Sequence, residues 1–221
     1  GATALRLHFT DFAVPAGAEL FVYNEAGEAF GPYTDRGPRG NGDFWSHTIT
    51  GSTILVQVHS PTGVASGFFN IAEVAHFGSD FAYAQYRQRS ETKDLCSYNA
   101  DCVEAYGGTD DSIAHYSFVQ RPYVYICTGG LIATDPPSTT PYFLTANHCV
   151  SRDKAAGTVE TYFFYSGGAA NCSGPAALHT TGASIVATNK TGDFTLRQRS
   201  LGDKIFWSII QAVGDKVKEL K

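Results

Sequence analysis

The apolar runs in the first 86 residues are short, and each is cut off by a turn signal, which rules out long helices and points to strands. Ala4-Leu5-Arg6-Leu7-His8-Phe9 alternates with period two, and Leu20-Phe21-Val22-Tyr23 reads as a buried strand ended by the turn Asn24-Glu25-Ala26-Gly27. Gly37-Pro38-Arg39-Gly40-Asn41-Gly42 has no place inside a strand. Phe44 to Ile49 and Ile54 to His59 form two further strands around Thr50-Gly51-Ser52, and Phe68 to Phe77 closes the set. Short strands at this spacing predict an all-β fold, with a β-sandwich over residues 1–86.

The composition fits that reading. The chain has 221 residues, enough for one large core or two modest ones. It carries 23 glycines, 12 tyrosines and 15 phenylalanines against 17% charged residues, as short strands and tight turns require. A formal net charge of −5 argues against nucleic acid or an anionic membrane as partner. No run approaches the ~18 apolar residues of a membrane span. Methionine is absent and the chain opens Gly1-Ala2-Thr3, as a processed protein or a fragment would. His47, His59 and His76 lie on different predicted strands, where ordinary alternation explains each without a metal. Trp45 and its aromatic neighbours read as sandwich core rather than as a carbohydrate-binding face. The sequence calls for no cofactor and no metal.

From Phe81 to Lys93 the composition turns polar. Arg87, Arg89 and Lys93 fall in or beside a linker placed at residues 87–95, which is equally readable as a processing site.

Cysteines appear only beyond the linker, at 96, 102, 127, 149 and 172. No Cys-x-x-Cys pair is present, so disulfides in an oxidising compartment fit better than zinc. Tyr123 to Ile132 is a strand interrupted by Gly129-Gly130. A loop, Asp135 to Pro141, then leads to Tyr142-Phe143-Leu144-Thr145-Ala146-Asn147-His148-Cys149. A histidine just past a strand, fixed by a disulfide at the next residue, is well placed to serve as a general base. Cys127 and Cys149 stand 22 positions apart on neighbouring predicted strands, and a bridge there would be worth roughly 3 kcal/mol in the chain-entropy model.

These residues resemble the trypsin-like serine endopeptidases, in particular a bacterial branch of lysyl-endopeptidase type. Thr145 to Cys149 is similar to the family's Thr-Ala-x-His-Cys motif. Cys96-Ser97-Tyr98-Asn99-Ala100-Asp101-Cys102 resembles its paired N-terminal cysteines, and Cys127-Thr128-Gly129-Gly130-Leu131 its Cys-Thr-Gly-[Ser/Gly]-Leu strand. Thr161 to Tyr165 followed by Cys172 resembles an aromatic strand ahead of another cysteine, and Gly192-Asp193-Phe194-Thr195-Leu196 its Asp-Phe-Thr-Leu motif. The resemblance implies a secreted hydrolase of protein or peptide substrates, with residues 96–200 forming the first β-barrel of a chymotrypsin-like fold. It makes His148 the general base and Asp193 the residue that orients it. Asp135 and Asp153 are weaker alternatives, in loop-like sequence close to His148. The resemblance also implies disulfides Cys127–Cys149 and Cys102–Cys172, with Cys96 left unpaired.

The family's nucleophile has no counterpart here. After Asp193 the only serines are Ser200 and Ser208, neither in a Gly-x-Ser-Gly context, and Ser166-Gly167-Gly168 precedes the aspartate, out of the family's order. Cys149 adjoins its would-be base and is committed to a disulfide. The chain therefore reads as a protease truncated before its nucleophilic serine and inactive as written. The other readings are a non-catalytic secreted binding protein using the sandwich, and an inhibitory pro-region. Residues 201–221 depart from the family: apolar positions 205, 206, 209, 210, 213, 217 and 220 predict an amphipathic C-terminal helix weakened by Gly214. Asn171 and Asn189 open glycosylation sequons, which matter only in a eukaryotic secretory host.

Overall fold

The computed structural model describes residues 1–60, 68–78, 112–134, 140–163 and 178–199. The linker at 87–95, Cys96, Cys102, Cys172, Asp135, Ser166, Ser200, Ser208 and the tail 201–221 lie outside the described residues. The chain divides into two compact units, Gly1–Ala82 and Tyr83–Lys221. Its class is all-β, with one short α-helix, α1 (Asp153–Ala156), among the described residues.

In the first unit, β1 (Ala4–Ala13) is the axis of one sheet. It pairs along one edge with β7 (Phe68–Phe77), and along the other with the two-residue strands β4 (Phe44–Trp45) and β5 (Ile49–Thr50). A second sheet has the order β3 (Ala29–Tyr33), β2 (Glu19–Tyr23), β6 (Leu55–His59). Leu7, Phe9, Phe12 and Phe44 from the first sheet and its loops share one buried core with Leu20, Val22 and Tyr33 from the second. Leu7 and Phe9, two apart on β1, enter that core by strand alternation, and Phe12 joins them past the register shift that lies between Thr10 and Ala13.

Phe44 to Ile49 is two strands rather than the single one predicted. Between them the Ser46 hydroxyl accepts the Leu7 backbone N–H at 3.0 Å and donates to the His47 carbonyl at 2.8 Å, so a side chain replaces the ladder. His47 itself accepts or donates at Nδ1 to the Tyr33 hydroxyl, 2.7 Å away, and stacks on Phe30. Trp45 is buried, with its ring nearly parallel to that of His8 at 4.9 Å.

Among its described residues the second unit forms a seven-stranded antiparallel sheet. Its order is β12 (Leu178–Thr181), β11 (Glu160–Phe163), β8 (Ile113–Gln120), β9 (Tyr123–Ile132), β10 (Tyr142–Thr145), β14 (Phe194–Arg199), β13 (Ala183–Asn189). The strands at its two ends, β12 and β13, are consecutive in the chain and joined by Gly182 alone, whose φ of +75° a side chain would strain. Ends one residue apart require the sheet to curl round on itself. The Gly182 N–H donates to the Val159 carbonyl at 2.7 Å, and the Asp153 carboxylate at the start of α1 accepts the Ile185 N–H at 2.8 Å. The curled sheet encloses Ala114, Tyr116, Phe118, Phe143, Val150, Val159 and Phe163.

β9 runs unbroken through Gly129 and Gly130, against the interruption expected from the paired glycines. The glycines serve packing here. A Cβ at Gly129 would overlap the Phe143 ring and come within 2.5 Å of the Leu144 carbonyl oxygen. Strands β3, β8 and β12 are not among the predicted ones. β3 contains Gly31-Pro32, which disguises it, whereas β8 has the period-two signal in Ala114, Tyr116 and Phe118.

A charged residue interrupts the apolar character of this core. Arg197 on β14 is 1% exposed, with its guanidinium over the rings of Tyr116 and Phe143 at 4.3 and 4.7 Å. Its Nε and Nη1 have no hydrogen-bond partner among the described residues. Burial pushes its pKa down to about 10. Because the folded value is the lower one, the cost of the charge is fully present below pH 10 and is relieved only as pH rises from there toward the ordinary range of an arginine.

Two substitutions test this packing by urea titration at neutral pH. Gly129→Ala is expected to destabilise the second unit by about 1–3 kcal/mol through overpacking. Arg197→Met, which removes a buried unpaired charge at similar volume, is expected to stabilise it by about 1–4 kcal/mol.

Candidate active site

β10 ends at Thr145, whose hydroxyl is held from both sides. It donates to the Thr128 carbonyl at 2.8 Å and so accepts from the Tyr116 hydroxyl at 2.7 Å. Past this anchor the chain makes one tight turn: the N–H groups of Cys149 and Val150 both bend back to the Ala146 carbonyl, at 3.3 and 3.4 Å. His148 projects from that turn. Cys149 bonds to Cys127 on β9, which pins the next residue to the sheet. Cys102 and Cys172 lie outside the described residues, as does Cys96.

Asp193 comes from the turn of the β13–β14 hairpin. Its N–H donates to the Lys190 carbonyl at 3.3 Å, and the Gly192 N–H donates to the Asn189 side chain at 2.7 Å. Asp193 has φ +47°, a left-handed backbone that aspartate tolerates better than most residues. The hairpin brings it to His148 by register. β10 and β14 pair Thr145 with Thr195, so the residues just past one strand end meet those just before the other.

The contact has two points. The His148 backbone N–H donates to Asp193 Oδ1 at 2.9 Å, and Nδ1 of its ring lies 2.7 Å from Oδ2. A carboxylate only accepts, so the proton of the neutral ring sits on Nδ1 and the lone pair on Nε2. The His148 backbone N–H, followed by its ring, holds the Asp193 carboxyl below its ordinary range. That carboxylate therefore stays ionised at neutral pH, and the stability it contributes is lost only as pH falls through its lowered value. Both side chains are open to solvent, 72% exposed for His148 and 50% for Asp193. The arrangement can accept a proton at Nε2 from a hydroxyl brought to it, and can stabilise the imidazolium that results.

Asp153, the alternative partner, accepts the Ile185 N–H at the start of α1 and is engaged there. The sequence reading passed over Asn147 and Thr188. The Asn147 carboxamide donates to the Thr188 hydroxyl on β13 at 2.7 Å, and the backbone N–H of Asn147 also helps lower the Asp193 pKa. In the sequence, Asn147 is simply the variable position of Thr-Ala-x-His-Cys. A polar residue there, on a turn that precedes a base, was the one available signal.

The bridge at Cys149 can be checked directly. The double variant Cys127→Ser/Cys149→Ser is expected to lose about 3 kcal/mol of stability for a 22-residue separation, read by urea titration of the oxidised parent and the variant.

Residues 90–207 match the family described as lysyl endopeptidase, C-terminal domain. A lysyl endopeptidase of Pseudomonas aeruginosa is 26% identical over 170 residues, which cover 71% of this chain and 37% of that protein. The chain thus spans little more than a third of its relative's length. With that match covering more than half of its residues, the chain belongs to the lysyl endopeptidase family.

Proposed function

We propose that this chain carries the general-base half of a serine endopeptidase, with His148 as the base and Asp193 as the residue that orients it. The observation that carries the reading is the two-point contact between them, in which one carboxylate fixes both the backbone and the ring of the histidine. In this role His148 Nε2 takes the proton of an attacking serine hydroxyl and returns it to the leaving amine, while Asp193 stays ionised and steadies the imidazolium. Peptide bonds of proteins are the substrate class, in keeping with the family and with the name of the Pseudomonas aeruginosa relative. The disulfide supports an oxidising, extracellular setting. Residues 96–200 then form the first half of a two-barrel catalytic domain, and residues 1–86 an accessory β-sandwich.

The nucleophile and oxyanion hole belong to the other half of such a domain, since no serine after Asp193 within residues 1–221 has a Gly-x-Ser-Gly context. The 221-residue chain by itself is therefore expected to hydrolyse no peptide bond and to remain unlabelled by a fluorophosphonate probe; labelled serine would overturn this. In a longer product of the same coding sequence that includes a Gly-x-Ser-Gly segment, Asp193→Asn is expected to lower kcat by about 10⁴-fold. His148→Ala should do at least as much. Unchanged peptidase activity in His148→Ala would remove the proposed role.

A further inference from the structure

Three consecutive residues of the turn after β10 are tied to three different places. Cys149 is bonded to β9, His148 to the β13–β14 turn, and Asn147 to β13 itself through Thr188. The turn's own hydrogen bonds, at 3.3 and 3.4 Å, are long, so these outside ties decide how the 147–148 peptide is rotated. That rotation matters because the backbone N–H and ring of His148 must both point at the two oxygens of Asp193.

The Asn147 tie is part of a closed circuit. Thr188 Oγ1 accepts from Asn147 Nδ2, lies 2.6 Å from the Thr195 hydroxyl and 3.2 Å from the Phe194 carbonyl. Thr195 is fully buried and pairs with Thr145, the last residue of β10. Asn147 thus joins the turn carrying His148 to both arms of the hairpin carrying Asp193.

We infer that Asn147, through its carboxamide bond to Thr188, is a positioning residue that holds His148 in the Nδ1–H tautomer facing Asp193. The inference rests on the general-base reading above for its significance to catalysis. The geometry itself can be tested without catalysis. The role needs a donor at position 147 and a hydroxyl at position 188, and nothing else of either side chain.

The test uses the 221-residue chain with both ring nitrogens of histidine labelled with ¹⁵N. Nitrogen shifts report the ratio of Nδ1–H to Nε2–H tautomer in the neutral ring of His148. Asn147→Ala is expected to lower that ratio about fivefold, the factor a typical net hydrogen bond supplies. Thr188→Val should lower it equally, the double variant no further, and Thr188→Ser should restore the parent value. Backbone amide shifts of β8, β9 and β10 should stay in place throughout. An unchanged ratio in Asn147→Ala overturns the inference, as does a ratio in Thr188→Ser as low as in Thr188→Val. A fall accompanied by loss of the sheet's amide pattern also overturns it, because Asn147 would then be structural only. A longer enzyme indifferent to His148→Ala would sink the general-base reading and leave the tautomer ratio untouched, so the two failures are separable.

Discussion

The register of β10 against β14 is the constraint on which the candidate site depends. Tyr142 faces Gln198, Phe143 faces Arg197, Leu144 faces Leu196 and Thr145 faces Thr195. Extended past the strand ends, that pairing sets Asn147 opposite Asp193, and the turn that begins at Ala146 brings the next residue, His148, onto its carboxylate. A slip of one residue would move Phe143 out of the core and turn every alternate side chain to the wrong face, so burial of Phe143 enforces the register. The latitude of a surface loop does not apply here: the geometry of an exposed pair is set by a buried ladder.

Rigidity and exposure are kept apart in this arrangement. The groups that locate the histidine are buried or bonded, including Thr145, held by the Tyr116 hydroxyl and the Thr128 carbonyl, and Cys149 in its bridge. The ring itself is open to solvent. An imidazole left wet retains access for an incoming hydroxyl, while its orientation is fixed by neighbours it does not have to carry into the reaction. Asp193 takes part in both aspects: its backbone is held in a left-handed turn, and its carboxylate answers two donors of one residue.

Much of this was legible in the sequence, for identifiable reasons. Short period-two runs gave the all-β class, because strand alternation is a local property. His148 and Asp193 were legible because each sits in a motif of several residues. What stayed hidden was non-local or ambiguous. Thr188 looks like any strand threonine until the hairpin places it beside Asn147. Ser46 splits a predicted strand by using its hydroxyl in place of a ladder bond, and Gly129 reads as a break although it marks the close approach of Phe143. Arg197 shares the polar phase of β14 with Thr195, and only the packing reveals that this phase faces inward.

The order in which the strands appear along the chain has a kinetic consequence. β10 and the His148 turn are made some 45 residues before Asp193, and their contact has the same separation. Closing so long a loop is paid for in chain entropy before any contact rewards it, so such pairings form late and only with the sheet around them. A nascent chain that has reached β10 therefore displays a histidine with no partner, in whichever tautomer water favours. The imidazole gains its orientation only when the β13–β14 hairpin docks, so the proposed general-base role is delayed until the sheet around it is already folded.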